Sequence, residues 1–304
     1  MRVAVTGAGG LIGSALCRAL VRGGHDLLRL VRRPVRADDE IVWDPEHGTI
    51  DGERLRSCDA VVHLAGENIA QGRWTSRKKE RIRGSRVVST RLLAETLAHL
   101  PDGPRVLVNA SAIGYYGDRG DERLDESSTP GDDFLARVCH AWEAATSVAQ
   151  ANGIRVVRLR IGVVLSPDGG ALAAMRRPFS LGLGGRVGSG RQYWSWIAID
   201  DLVRIIASCL EQEDWEGPIN AVAPHPVTNA EFTRALARTL RRPACLPLPA
   251  WVVRRLMGEM GRALLLASTR VVPARLAAAG FSFEFPELDA ALATLLARST
   301  RPVR

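Results

Sequence analysis

The segment Thr6-Gly7-Ala8-Gly9-Gly10-Leu11-Ile12-Gly13 constrains this chain more than any other. It follows Arg2–Thr6, a short valine-rich run suited to a buried strand. It opens Leu11–Arg22, whose apolar residues recur at helical spacing and stop at Gly23-Gly24. A second strand is predicted over Leu27–Val31, stopped by Pro34. Glycines at 7, 10 and 13 let the chain turn out of the strand, let backbone approach an anion, and let the helix pack closely. The helix then aims its free N–H groups and positive dipole end at phosphate. A glycine triplet alone is weak evidence, but between a strand and an amphipathic helix it reads as a dinucleotide-binding turn. Gly7, Gly10, Leu11, Ile12 and Gly13 are its candidate contacts.

The choice of dinucleotide rests on the end of the second strand. About 20 residues past the glycines, chains that bind NAD usually place an acid on the ribose hydroxyls. Here the sequence reads Leu30-Val31-Arg32-Arg33-Pro34, without an acid. A carboxylate would repel a 2′-phosphate, whereas a guanidinium pairs with it through two parallel hydrogen bonds. Arg32, helped by Arg33, is therefore expected to hold the 2′-phosphate of NADP(H). Asp44, beside Trp43, could accept from an adenine amino group or simply serve its own loop.

Further strands are predicted at Ala60–Ala65, Arg105–Ala110 and Val156–Arg160. Helices are predicted from about 76 to 100, broken or strained near Gly84, and from about 133 to 152. Strands alternating with helices predict an α/β fold, a Rossmann-type doubly wound parallel sheet. After Val164 glycines and prolines become dense, which reads as a smaller C-terminal lobe over the cofactor. The expected division is 1–164 and 165–304, with a soft boundary across which later strands could rejoin the sheet.

Apolar residues make up 46% and charged residues 24%, ordinary for a soluble protein. No apolar run approaches the roughly 18 residues of a membrane helix, so no membrane partner is expected. Five cysteines without metal or disulfide spacing suit reduced thiols and a cytoplasmic location. Much of the +8 net charge lies in Arg73, Arg77, Lys78, Lys79, Arg81, Arg83, Arg86 and Arg91. This is either a solvated helix face or a source of arginines for an anionic cofactor. Nucleic acid ranks third, because no aromatic interleaving or helix-turn-helix pattern accompanies the charge.

The glycine turn, LAGENI (Leu64–Ile69), GRW (Gly72–Trp74), SAIGYYGD (Ser111–Asp118), Trp142-Glu143 and RIGVVLSPDGGAL (Arg160–Leu172) form a consistent set. PFSLGLGGRVGSGRQYWSWIAIDDL (Pro178–Leu202) and NAVAPHPVTNAEF (Asn220–Phe232) extend it. With them the chain resembles the extended short-chain dehydrogenase/reductase superfamily over nearly its whole length. Within it, the chain is similar to the atypical NAD(P)-dependent "epimerase family" branch, some members of which are labelled cell-division-inhibitor-like. The resemblance implies cofactor contacts at Leu64, Ala65, Gly66, Glu67, Arg86, Ser111, Ala112 and Val163. Glu67 could accept from a hydroxyl, orient Arg86, or form an ordinary salt bridge with it.

The superfamily's reaction uses a tyrosine, a lysine four residues on and a nearby hydroxyl; the lysine lowers the tyrosine's pKa for proton exchange. That tyrosine should fall near Phe134 or Leu135, and its lysine near Val138 or Cys139. Neither is present, and Ala112 stands four residues before Tyr116, where the hydroxyl belongs. Ser111, Tyr115 and Tyr116 are the nearest substitutes, unless the tyrosines only pack the loop. Arg191, Gln192, Trp194 and Trp196 resemble a substrate loop for a small molecule, or else pack the lobe. Asp200-Asp201 reads as a helix cap. The leading expectation is an NADP(H)-dependent oxidoreductase of unknown substrate; the rival is a non-catalytic NADPH-binding regulator or sensor.

Overall fold

The computed structural model describes residues 1–298, so the last six residues of the expected second lobe, 299–304, lie outside the described residues. The chain begins with β1 (Arg2–Thr6), α1 (Leu11–Arg22), β2 (Asp26–Val31), β3 (Glu40–Asp44) and β4 (Thr49–Ile50). β5 (Ala60–His63), α2 (Ser76–Ala98), β6 (Val106–Ala112), α3 (Phe134–Ala144), α4 (Ser147–Ala151) and β7 (Arg155–Ile161) complete the expected alternation. β10 (Gly217–Ala221), far down the chain, returns to pair with β7. The sheet runs β10-β7-β6-β5-β1-β2-β3-β4, parallel except for the small β3–β4 pair. The order reverses beside β1, the place where open parallel sheets form a ligand crevice at their carboxyl ends.

The central strand shows why this sequence takes this position. Val3, Ala4 and Val5 are fully buried, as expected of a strand covered on both faces. One face packs on Leu16 and Leu20 of α1, together with Leu202 and Ile206. The other packs on Leu93, Ala94 and Leu97 of α2. Helix α2 runs unbroken through Gly84, contrary to the expected break. A glycine costs a helix only about 1 kcal/mol, and burial of the α2 face outweighs it. The segment expected as one helix over 133–152 divides into α3 and α4, and Asp133 caps α3 by accepting from the Ala136 N–H.

The second lobe is assembled from β8 (Val163–Ser166), α5 (Gly170–Ser180), β9 (Trp196–Ala198), α6 (Ile199–Glu211), α7 (Asn229–Leu240), α8 (Ala250–Gly261) and α9 (Leu288–Arg298). Its core gathers Trp196, Phe232, Leu236, Leu292 and Leu295. Helix α6 belongs to both units, since Leu202 and Ile206 cover the main sheet while Ile199 joins the lobe core. The boundary near 164 is thus crossed twice, by α6 and by β10. Asp200 and Asp201 lie in the first turn of α6 but do not cap it, contrary to the expected role: the N-cap is Ala198, and among the described residues no side chain bonds the free N–H groups. Asp201, fully buried, accepts from the Glu284 and Phe285 N–H groups, and Asp200 pairs with Arg298 of α9. Two acids at a helix start thereby fasten the last described segment, 284–298.

Candidate cofactor site and the proton-relay position

The glycine turn is built around contacts that admit no side chain. Gly7 has φ +68°, and a Cβ there would lie 2.8 Å from the Leu64 carbonyl carbon. A Cβ on Gly13 would lie 2.1 Å from the Gly7 oxygen. The start of α1 has no side-chain cap, so its first N–H groups face the crevice unpaired by a side chain. Such a turn, with a helix dipole behind it, is suited to a pyrophosphate.

Thr6 and His63 support the turn from beneath. The Thr6 hydroxyl oxygen accepts from the Leu64 and Ala65 N–H groups at 3.1 and 3.2 Å. Its proton therefore goes to His63 Nδ1, 2.6 Å away. The other ring nitrogen, Nε2, then donates to Ser89 on α2 at 3.2 Å. Burial pushes the His63 pKa down to about 3, so the ring is neutral and serves as a fixed relay of hydrogen bonds. Thr6 heads the glycine motif and His63 closes a predicted strand, but spacing alone gave neither a role of its own.

At the end of β2 the two arginines divide. Arg33 forms a bidentate pair with Glu40, at 2.9 and 2.6 Å, and this pair holds the Glu40 pKa down at about 2. Arg33, expected to help hold a phosphate, here has its fork on the Glu40 carboxylate. Arg32 is exposed and makes no hydrogen bond or ion pair among the described residues. Asp44 accepts from Glu46 N, His47 N and His47 Nδ1, so it serves its own loop.

The basic stretch divides: Arg73, Arg77, Arg81, Arg83 and Arg91 are exposed, whereas Lys78, Lys79 and Arg86 are engaged within the protein. Lys78, buried, donates to the Glu67 carboxylate at 2.6 Å, and Arg81 stands 3.5 Å from it. Lys79 pairs with Glu259 of α8. Arg86 is not the partner of the Glu67 carboxylate; it donates to the Glu67 carbonyl at 3.1 Å and to Ile82 O at 3.1 Å. Its guanidinium lies against Gly66 and over the Trp142 ring, and burial lowers its pKa. Arg86 thus places a cation beside Gly66, just past the end of β5, while Glu67 neutralises its basic neighbours.

At the expected proton-relay position the structure is apolar. Gly114 packs against Leu135, with Cys139 Sγ behind it, at the two positions where tyrosine and lysine were sought. Burial pushes the Cys139 thiol up to about 12, so it is neutral and supplies no charge. Ser111 is buried and donates to Glu143 at 2.7 Å, and Glu143 is in turn held by Arg160. The Tyr116 hydroxyl, fully buried, donates to Asn220 Oδ1 at 2.7 Å and accepts from Arg160 at 3.0 Å. Burial raises its pKa to about 12. Tyr115 is half-buried with its ring stacked 3.5 Å from the Arg160 guanidinium carbon, and its hydroxyl makes no hydrogen bond among the described residues. Ala112 ends β6 and Val163 opens β8, where its N–H donates to Ser195 O at 2.8 Å.

The residues expected to wall a substrate pocket mostly do not. Gln192 is buried and donates to Val187 O and Leu265 O, both at 2.9 Å. Trp194 packs on Phe232, and Trp196 is fully buried in the lobe core. Of the four, Arg191 alone is exposed. The indoles are large enough to organise the lobe, and the loop is shaped around them.

A doubly wound parallel sheet with this turn at its switch point defines a Rossmann-type protein of the extended short-chain dehydrogenase/reductase class. The chain belongs to the NAD dependent epimerase/dehydratase family, whose profile matches residues 3–221; a domain of unknown function, DUF1731, matches 248–295. It is 47% identical over 290 residues to the epimerase family protein Mb2239 of Mycobacterium bovis, covering 95% of this chain and 96% of that one. It is 40% identical to the human epimerase family protein SDR39U1, covering 98% and 100%. The crystal structure of the human protein (isoform 2) with NADPH superposes with a TM-score of 0.89 at 38% identity, covering 98% of this chain and 99% of that one.

Proposed function

We propose that this protein binds NADP(H) and is an oxidoreductase that works without the superfamily's tyrosine–lysine relay. The observation that carries the cofactor assignment is Arg32, exposed and without a hydrogen-bonding partner at the end of β2, where an NAD-binding chain would place an acid. The cradle supports it: the Gly7–Gly13 turn and the start of α1 suit the pyrophosphate, and Leu64, Ala65 and Gly66 offer a surface with little side chain. Glu67 is neutralised by Lys78 and Arg81, so it does not oppose an anionic ligand. The human relative's crystallisation with NADPH agrees with this reading. Bound NADPH would supply hydride; Arg86 would set positive charge beside it, and Tyr115 is the candidate hydroxyl left with a proton to give.

Calorimetry on the purified chain tests the assignment. NADPH is expected to bind more tightly than NADH. Arg32→Ala is expected to weaken NADPH by about ten- to a hundredfold, the equivalent of one or two charge-assisted hydrogen bonds, and to leave NADH nearly unchanged. Equal losses for both cofactors would remove the idea.

A second reading, a non-catalytic NADPH-responsive protein, is favoured by one observation: Ser111 and Tyr116 are locked into internal hydrogen bonds. Tight binding needs only the phosphate cradle, whereas catalysis needs a positioned acid as well. Absorbance of NADPH during a screen of small carbonyl compounds separates the two. Oxidation abolished in Tyr115→Phe supports the enzyme; no oxidation with any compound supports the sensor. A small-molecule substrate in a cytoplasmic setting remains part of the proposal, and five free thiols accord with it. The internal pairing of Lys78, Lys79 and Arg86 leaves less basic surface for nucleic acid.

A further inference from the structure

Most of the exposed large apolar side chains gather on the second lobe rather than scattering. Of eleven such residues among those described, six fall in two segments far apart in sequence: Leu181, Leu183, Leu246, Leu248, Trp251 and Leu256. Backbone hydrogen bonds bring the first two pairs together. Leu246 N donates to Gly184 O, Leu248 N to Arg186 O, and Gly188 N to Leu248 O. A Cβ on Gly182 would lie 3.9 Å from the Pro243 ring, and Pro249 then leads directly into α8, whose second residue is Trp251. That indole is 70% exposed, although tryptophan is normally among the most buried residues on average.

The charges around this patch are mainly basic, and two neighbouring acids, Glu259 and Asp289, are paired with Lys79 and Arg238. Residues 169–199 contain four arginines and no Asp or Glu, and residues 232–258 contain six arginines and no Asp or Glu. Arg241 and Arg242 flank Pro243, and with Arg234 and Arg238 they line one open groove beside it. Arg255 lies one helical turn from Trp251. Arg241, Arg242, Arg254 and Arg255 are exposed and pair with no acid among the described residues. Apolar patches rimmed by charge are rare on isolated proteins and mark interaction surfaces.

We infer that this face of the second lobe rests on a bilayer surface bearing anionic headgroups, with Leu183, Leu246, Leu248 and Trp251 dipping into the interface and the arginines meeting the phosphates. Charge complementarity selects this occupant. A second copy would set two arginine-rich faces against each other, and a nucleic acid backbone offers nothing to four exposed aliphatic and aromatic side chains. Tryptophan and leucine beside arginine is the combination that lies at a membrane interface, each basic residue adding attraction to anionic lipid. The expectation of no membrane partner came from the lack of a spanning run, which does not speak to attachment at a surface. No helix among the described residues is long and apolar enough to cross a membrane.

Co-sedimentation of the full chain with phosphatidylcholine vesicles, with and without phosphatidylglycerol, tests the proposal. Binding is expected only with the anionic vesicles, falling as salt is raised. Arg241→Gln/Arg242→Gln and Leu183→Ala/Trp251→Ala are each expected to reduce partitioning at least about tenfold with unchanged thermal unfolding. Should either variant fail to fold, the lipid and salt dependence of the unaltered protein decides. Absence of binding, equal binding to both vesicle types, or tight binding that both variants retain would overturn the proposal. So would a lipid-free dimer broken by Leu183→Asp, or duplex DNA bound in preference to anionic vesicles.

Discussion

Arg160 grips Glu143 inside the protein through two parallel hydrogen bonds, Nε to Oε1 and Nη2 to Oε2, both at 2.9 Å. The pair joins β7 to α3, and it also carries the ends of two other elements. Ser111 of β6 donates to the same carboxylate, and Tyr116 accepts from the same guanidinium. Through Tyr116 the network reaches Asn220 of β10, whose N–H donates to Glu126 at 3.0 Å. Residues that sequence spacing offered for catalysis are thus tied into the joint between sheet and second lobe.

Removing one partner of a buried, hydrogen-bonded ion pair leaves an uncompensated charge. Glu143→Ala is accordingly expected to destabilise the protein by about 3–5 kcal/mol, measured by urea unfolding. A loss below about 1 kcal/mol would mean that water replaces the carboxylate and that the joint is looser than its geometry.

Tyr116→Phe removes a hydroxyl that makes two buried hydrogen bonds. Stability is expected to fall by about 1–3 kcal/mol, while NADPH affinity and any carbonyl reduction stay unchanged. Loss of turnover with unchanged stability would return Tyr116 to the chemistry.

The depressed His63 pKa has a definite direction in pH. Above the unfolded value near 6.5 the ring is neutral in both states; below it only the unfolded chain takes up the proton. Stability is expected to fall from about pH 6.5 towards pH 3 with a slope of up to about 1.4 kcal/mol per unit from this group. His63→Gln is expected to flatten that slope, and an unchanged slope would show that other groups produce it.

Arg33 and Arg32 should separate cleanly. Arg33→Ala is expected to leave NADPH affinity within about threefold of the parent, since its fork belongs to Glu40. Glu40, with its pKa held near 2, contributes stability above its ordinary carboxylate range that is lost as pH falls towards 2. Without Arg33 that contribution is lost at every pH, so the part of the acid slope between the ordinary carboxylate range and pH 2 that comes from Glu40 should flatten. A large drop in NADPH affinity in this variant would mean that Arg33 leaves Glu40 when the cofactor binds.

Gly13→Ala asks α1 to back away from the Gly7 carbonyl. Overpacking of this kind costs about 1–3 kcal/mol, and NADPH binding should fall with it because the helix start no longer faces the pyrophosphate. Thermal unfolding with and without NADPH checks both effects; wild-type affinity in the alanine variant would show that the turn tolerates the shift.

The sequence alone determined the parallel α/β architecture, the glycine turn and the arginine in place of an acid, because each depends on neighbours within a few tens of residues. Strand period, helix period and glycine geometry are local properties. It also showed that tyrosine and lysine were missing, since absence needs no coordinates. Only the tertiary structure decided which of two adjacent arginines is free, because Glu40 approaches from another strand. It also separated the Glu67 carboxylate, which meets Lys78, from its carbonyl, which meets Arg86, and it placed Trp194 and Trp196 in a core rather than a pocket. The same holds for β10, which returns to the sheet beside β7. Charge pairing and burial are set by which distant segments pack together, and a linear chain does not carry that information in its spacing.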